Sequence, residues 1–154
     1  MPVESEVDKG TIPCEPPKQF LDDVSVLAKS RTAVIVVDDD GSGPIVAVRI
    51  LPDVHQSLED ARANIEACIH AAGSRRCRLL VDLRRAQPLP AEVRHYYSGE
   101  KLTQWFSAMA FLVEASPMGQ VMGNLYLRIT RPGIPTRLFN EKDAAMNWLR
   151  KDVV

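Results

Sequence analysis

Cysteine is scarce in this chain, and the three present, Cys14, Cys68 and Cys77, form no CxxC pair. An odd count without paired spacing argues against a disulfide framework, and a reducing cytoplasm is the expected setting. Long apolar runs are missing too; none approaches the roughly 18 residues that a membrane span needs. Net charge is close to absent at −1, which removes any global attraction to nucleic acid or to an anionic membrane. The opening MPVESEVDKG is acidic and polar, unlike the basic-then-apolar start of a secretory signal. Catalytic templates are also missing: there is no GxSxG elbow, HExxH, P-loop or GxGxxG. Gly41-Ser42-Gly43 connects two strand-like runs rather than a strand and a helix, so it reads as a hairpin turn and not a phosphate cradle. No cofactor is expected.

What is there suits one domain. With 154 residues, 45% of them hydrophobic and 25% charged, the chain can fill a single core. Residues 1–30 are assigned to an N-terminal arm, because four prolines and several acids fall before Gln19 and such a stretch cannot offset its ordering entropy. Two readings stand for its last part: a short helix carrying Phe20, Val24 and Leu27, or a first strand through Val24 to Leu27. The domain occupies residues 31–154. Ala33 to Val37 and Ile45 to Leu51 flank an Asp- and Gly-rich connection, the pattern of an antiparallel hairpin. Ser57 and Asp60 open a helix in capping-box spacing, which should bury Leu58, Ala61, Ile65, Cys68, Ile69 and Ala72 before Gly73 stops it. Cys77 to Leu83 is a buried-type strand. Pro88 and Pro90 precede a helical segment, Ala91 to Phe106, whose apolar phase breaks near Ser98-Gly99. Ala108 to Val113 is a strand, Ser116-Pro117 opens a helix to about Ile129, and a strand ending at Asn140 feeds a last helix. Asn140 is expected to cap that helix, with Ala144, Ala145, Trp148 and Leu149 on its inner face. The order β-β-α-β-α-β-α-β-α implies an α/β fold: an N-terminal hairpin, then βα units in a mixed, mostly parallel sheet with packed helices.

Three stretches, VDLRRAQPLPAEVRHYYSGEK, AMAFLVEASPMGQVMGN and PTRLFNEKDAAMNWLRK, resemble the bacterial STAS-like, anti-sigma-factor-antagonist-like proteins, in a subgroup without an assigned function. The likeness runs from about Val34 to Lys151 and implies a STAS-like βα superhelix. In phosphoregulated antagonists a strand ending in Asp-Leu leads to a helix whose first turn carries the phosphoacceptor serine. Val81-Asp82-Leu83 matches that strand end, but Pro90, Ala91 and Glu92 stand where the serine would be, and Ser98 lies too far along.

Three groups of residues are weighed for chemistry. Asp82, Arg84 and Arg85 fall at the carboxyl end of a central strand, where open α/β sheets hold ligands; they form either an anion site or an Asp–Arg pair holding the loop. His95, Tyr96 and Tyr97 offer an acid–base group beside two hydroxyls, against the ordinary reading of an amphipathic helix. Cys68, His70 and Cys77 fall short of a four-ligand zinc set, and core cysteines are the simpler account. On the helix from Met118 to Ile129 the core stripe is Met118, Val121, Met122, Leu125 and Ile129, while Tyr126 and Leu127 extend apolar character around it. Gly119 and Gly123 are four apart and would admit another backbone, so Met118, Met122 and Tyr126 are the expected interaction surface, for a protein partner or a homodimer. The expected function is a non-catalytic protein-interaction or regulatory module; the alternative is a binder of a small anionic or lipid-like ligand.

Overall fold

The computed structural model describes residues 26–39, 41, 43–97, 99, 102–129 and 134–151. Six strands form one sheet whose spatial order follows the chain: β1 (Val26–Lys29), β2 (Ala33–Asp39), β3 (Pro44–Ile50), β4 (Cys77–Asp82), β5 (Phe106–Leu112) and β6 (Thr136–Phe139). The helices are α1 (Leu58–Ala71), α2 (Ala91–Tyr97), α3 (Leu102–Trp105), α4 (Pro117–Ile129) and α5 (Lys142–Arg150). β1, β2 and β3 pair antiparallel, and β3 through β6 pair parallel, each parallel step bridged by helix. The expected hairpin is β2–β3, and the sheet is mixed and α/β as the alternation implied. β1 lies within the stretch assigned to the arm, and residues 1–25, including the expected helix through Phe20, lie outside the described residues.

Alternation along the strands creates two cores. Val46 and Val48 of β3, Leu79 of β4, and Met109 and Phe111 of β5 face Ala61, Ile65 and Cys68 of α1 and Val93 of α2. Ile45 and Ala47, Leu80, and Ala108, Ala110 and Leu112 point the other way, against Ala145, Met146 and Leu149 of α5. The central strands are buried on both sides, so they read as continuous apolar runs. α5 is also tied by charge. Arg78 Nη1 donates to the Leu149 carbonyl at 2.6 Å and its Nη2 to the Gly43 carbonyl at 2.8 Å, while Arg150 pairs with Asp38 at 2.5 Å. A cation on the last carbonyls of a helix also complements its dipole.

Local details depart from the sequence reading in three places. The cap of α5 is Glu141, not Asn140, and it makes no side-chain cap bond; Ala144 is exposed and Met146 takes the inner position. On α1, Leu58 and Ile69 are half-buried, and Asn64 is buried instead. Asn64 has a reason to be inside: it accepts from Ser30 Oγ at 2.6 Å and donates to Thr32 Oγ1 at 3.0 Å, tying α1 to the start of β2. The break after Tyr97 is present, with α2 ending there and α3 resuming at Leu102; Ser98 itself lies outside the described residues.

The capping box on α1 is complete. Ser57 Oγ accepts the Asp60 N–H at 3.2 Å, and Asp60 Oδ2 accepts the Ser57 N–H at 2.9 Å. Arg31 adds a fork to the same carboxylate, at 3.0 Å and 2.5 Å. The Arg31 bonds first, then the Ser57 N–H, hold Asp60 well below the usual carboxylate range. A depressed folded pKa means that this stabilisation is present above the unfolded value of about 4 and is lost as pH falls through the folded one. Asp60→Asn should therefore cost about 1 kcal/mol at neutral pH and leave stability flatter than wild type below about pH 4. Denaturant melts across pH check this; parallel curves for the two proteins would refute it.

Candidate functional site

At the carboxyl end of β3 and β4 a buried charge organises the surface. Asp82, 1% exposed, ends β4 on the α5 side of the sheet. Arg84 folds back onto it: Nε reaches Oδ1 at 2.9 Å, Nη2 reaches Oδ2 at 2.8 Å, and the Arg84 backbone N–H bonds Oδ1 at 3.0 Å. This is the fork geometry in which Arg and carboxylate bond most strongly. The Asp82 hydrogen bonds raise the Arg84 pKa above its ordinary value. Arg49, which the sequence reading passed over, is the register partner of Asp82 on β3 and is itself buried. Desolvation lowers its pKa, Asp82 opposes that, and Arg84 and Arg85 add to the lowering. The signal in the sequence was an arginine inside PIVAVRI, an otherwise apolar strand. Arg85 is exposed and adopts φ 71.

The opposite face holds a cavity of about 60 Å³ between the sheet and helices α1–α3. Its walls are apolar, from Val48, Ile65, Leu79 and Phe111, with Gln56, Asn64 and Tyr97 at one side. Tyr97 donates to Gln56 Oε1 at 2.7 Å, so these polar groups are bonded to each other. Pockets for drug-sized ligands run to about 300 Å³ and above, so this space does not suit a lipid chain. His95 is exposed, and Tyr96 and Tyr97 are half-buried against the core. Burial pushes the Tyr96 hydroxyl up. Cys68 and Cys77 are free and buried; burial raises both thiols, Cys77 to about 12, whereas His70 is exposed. Among the described residues no group of three or more His, Cys, Asp or Glu is placed to hold a metal.

α4 is turned relative to the stripe expected from sequence. Gly119 and Gly123 are buried, while Met118 and Val121 are 69% and 62% exposed. A Cβ on Gly119 would overlap the carbonyl of Glu114, and one on Gly123 would lie 2.8 Å from Leu138 Cδ2 and 3.3 Å from Val113. The glycines thus admit the helix's own sheet and preceding turn, not a second chain. Pressing the glycine side inward rotates the helix by one residue, about 100°, and carries Met118 and Val121 out. Met122 is half-buried against the core, and the side chain of Tyr126 lies outside the described residues.

This architecture can be compared with known proteins. A family model described as "Domain of unknown function (DUF7793)" matches residues 39–152. The chain belongs to this family. Beyond the DUF7793 family, the chain is similar to an uncharacterized protein of the DUF3478 family with a SpoIIAA-like fold from Shewanella loihica PV-4. The two share 14% identity over 81% of this chain and 99% of that one, with a TM-score of 0.55. At that identity the likeness establishes the fold alone: SpoIIAA-like, which is the STAS-like architecture its residues suggested. Comparison with curated proteins finds no match. Among the described residues no helix is long and apolar enough to cross a membrane.

The two α4 glycines should respond differently to alanine. Gly119→Ala meets backbone and should cost about 2–3 kcal/mol, the upper part of the overpacking range. Gly123→Ala meets the mobile end of Leu138 and gains helix propensity, so it should stay within about 1 kcal/mol of wild type. Thermal melts compare them; equal costs would place the helix differently.

Proposed function

We propose that this DUF7793 protein is a non-catalytic interaction module that docks a protein partner on the outward side of α4. One observation carries the reading. Met118 and Val121, one turn apart on the same side of α4, are the large apolar side chains left exposed among the described residues. Single exposed apolar residues are ordinary, but an adjacent pair on a helix seated through buried glycines forms a rigid apolar ledge. Methionine at its edge suits adaptable packing. The regulatory colouring comes from the STAS-like fold, while the phosphoacceptor of antagonists has no counterpart here: α2 starts at Ala91, and its first turn, Ala91 to Arg94, holds no hydroxyl. The non-catalytic reading is supported by what occupies the titratable groups, since Asp82 is taken by Arg84 and Tyr97 by Gln56. A second copy of the chain is one form the partner could take.

Val121→Glu tests this, because an exposed position tolerates charge without unfolding. Affinity capture from the native cell should recover a protein with the wild-type chain and at least about tenfold less with the variant, while circular dichroism stays unchanged. Sedimentation of the pure protein reads self-association in parallel. A wild-type chain that is monomeric and recovers no partner, or a variant that recovers the same one, would reject the reading.

A further inference from the structure

We propose that Arg84 and Arg85, at the carboxyl end of β4, form a binding site for an oxyanion, a phosphate or carboxylate group. This is separate from the ledge on α4. The first support is the turn that carries them. Ala86 N–H bonds the Leu83 carbonyl at 3.0 Å, which places Arg84 and Arg85 at the two central positions of a tight turn. Arg85, at the third position, has φ 71, where glycine is the usual occupant. The chain keeps an arginine in a conformation that glycine would adopt without strain, and strained residues of this kind gather at functional sites.

The second support is preorganisation. Asp82 holds Arg84 through Nε and Nη2, which leaves the Nη1 N–H groups of the same rigid plane for a further acceptor. Arg85 projects into solvent from the next residue, and both follow directly on the strand end where α/β sheets hold ligands. The third is charge. Arg84 and Arg85 are close enough to Arg49 to lower its pKa, so three guanidinium groups share this end of the sheet, with Asp82 acting on Arg49 and Arg84 and Glu114 acting on Arg84 from the segment after β5. The occupant would touch Arg84 and Arg85, and Arg49 would add charge from beneath.

The test is a titration of the full chain with inorganic phosphate, and separately with acetate, at constant ionic strength, following the arginine Nε–Hε resonances. Saturable shifts at Arg84 and Arg85 are expected with phosphate, with acetate, or with both, and the pattern names the source of the oxyanion. Arg85→Gly should weaken that affinity at least about fivefold without lowering the melting temperature, since glycine relieves the turn. Arg85→Gln serves if the glycine variant is destabilised, and Arg62→Gln, on exposed α1 surface, should leave affinity unchanged. Shifts that never saturate, an Arg85→Gly or Arg85→Gln chain that binds as well as wild type, or an equal loss in Arg62→Gln would overturn the proposal.

Discussion

The structure depends on covering both faces of three adjacent strands. β3, β4 and β5 carry apolar side chains up and down, so neither face can be left to water. One face receives α1, α2 and α4. The other depends heavily on α5, nine residues long, with Ala145, Met146 and Leu149 fully inside. Ala47, Ala108 and Ala110 on that face are small, which lets so short a helix lie close to the sheet. Arg78 on its last carbonyls and Arg150 on Asp38 fix its end.

This two-sided packing limits what the strands can offer to a partner. The strand middles are committed to the core, and the cavity on the α1 side is small and mostly apolar. The sites proposed above lie elsewhere among the described residues, on the carboxyl rim and the outer side of α4. Both are held by rigid elements: the rim turn by the buried Asp82, and α4 by two glycines pressed onto Glu114 and Leu138. A site on such supports is presented with little loss of conformational freedom on binding.

Much of this was legible in the residues. Continuous apolar runs and capping signals located β2 through β5 and α1, and the Ser57–Asp60 box closes as its spacing requires. The family likeness, resting on strand and helix motifs, led to the fold. The phase of α4 was not legible, because a hydrophobic stripe treats glycine as neutral, whereas close packing against backbone makes glycine the inward residue. The α5 cap failed for a related reason: Asn140 has the right chemistry, but the chain turns one residue later, and tertiary packing outweighed a side-chain bond worth about 1 kcal/mol. At the rim, Asp82, Arg84 and Arg85 do lie together as their adjacency suggested. Arg49 was missed because its partnership with Asp82 is a strand register, set across 32 intervening residues that local pattern does not resolve.

The claim that α5 and the sheet form one cooperative unit is tested most directly by amide hydrogen exchange in Leu149→Ala. Truncating this buried leucine should cost about 3 kcal/mol. If the second face depends on α5, the slowest amides of β3, β4 and β5 will lose protection by the full global amount, together with α5. If only the amides of α5 exchange faster while the strands keep wild-type protection, the sheet stands without its C-terminal helix and the account is wrong.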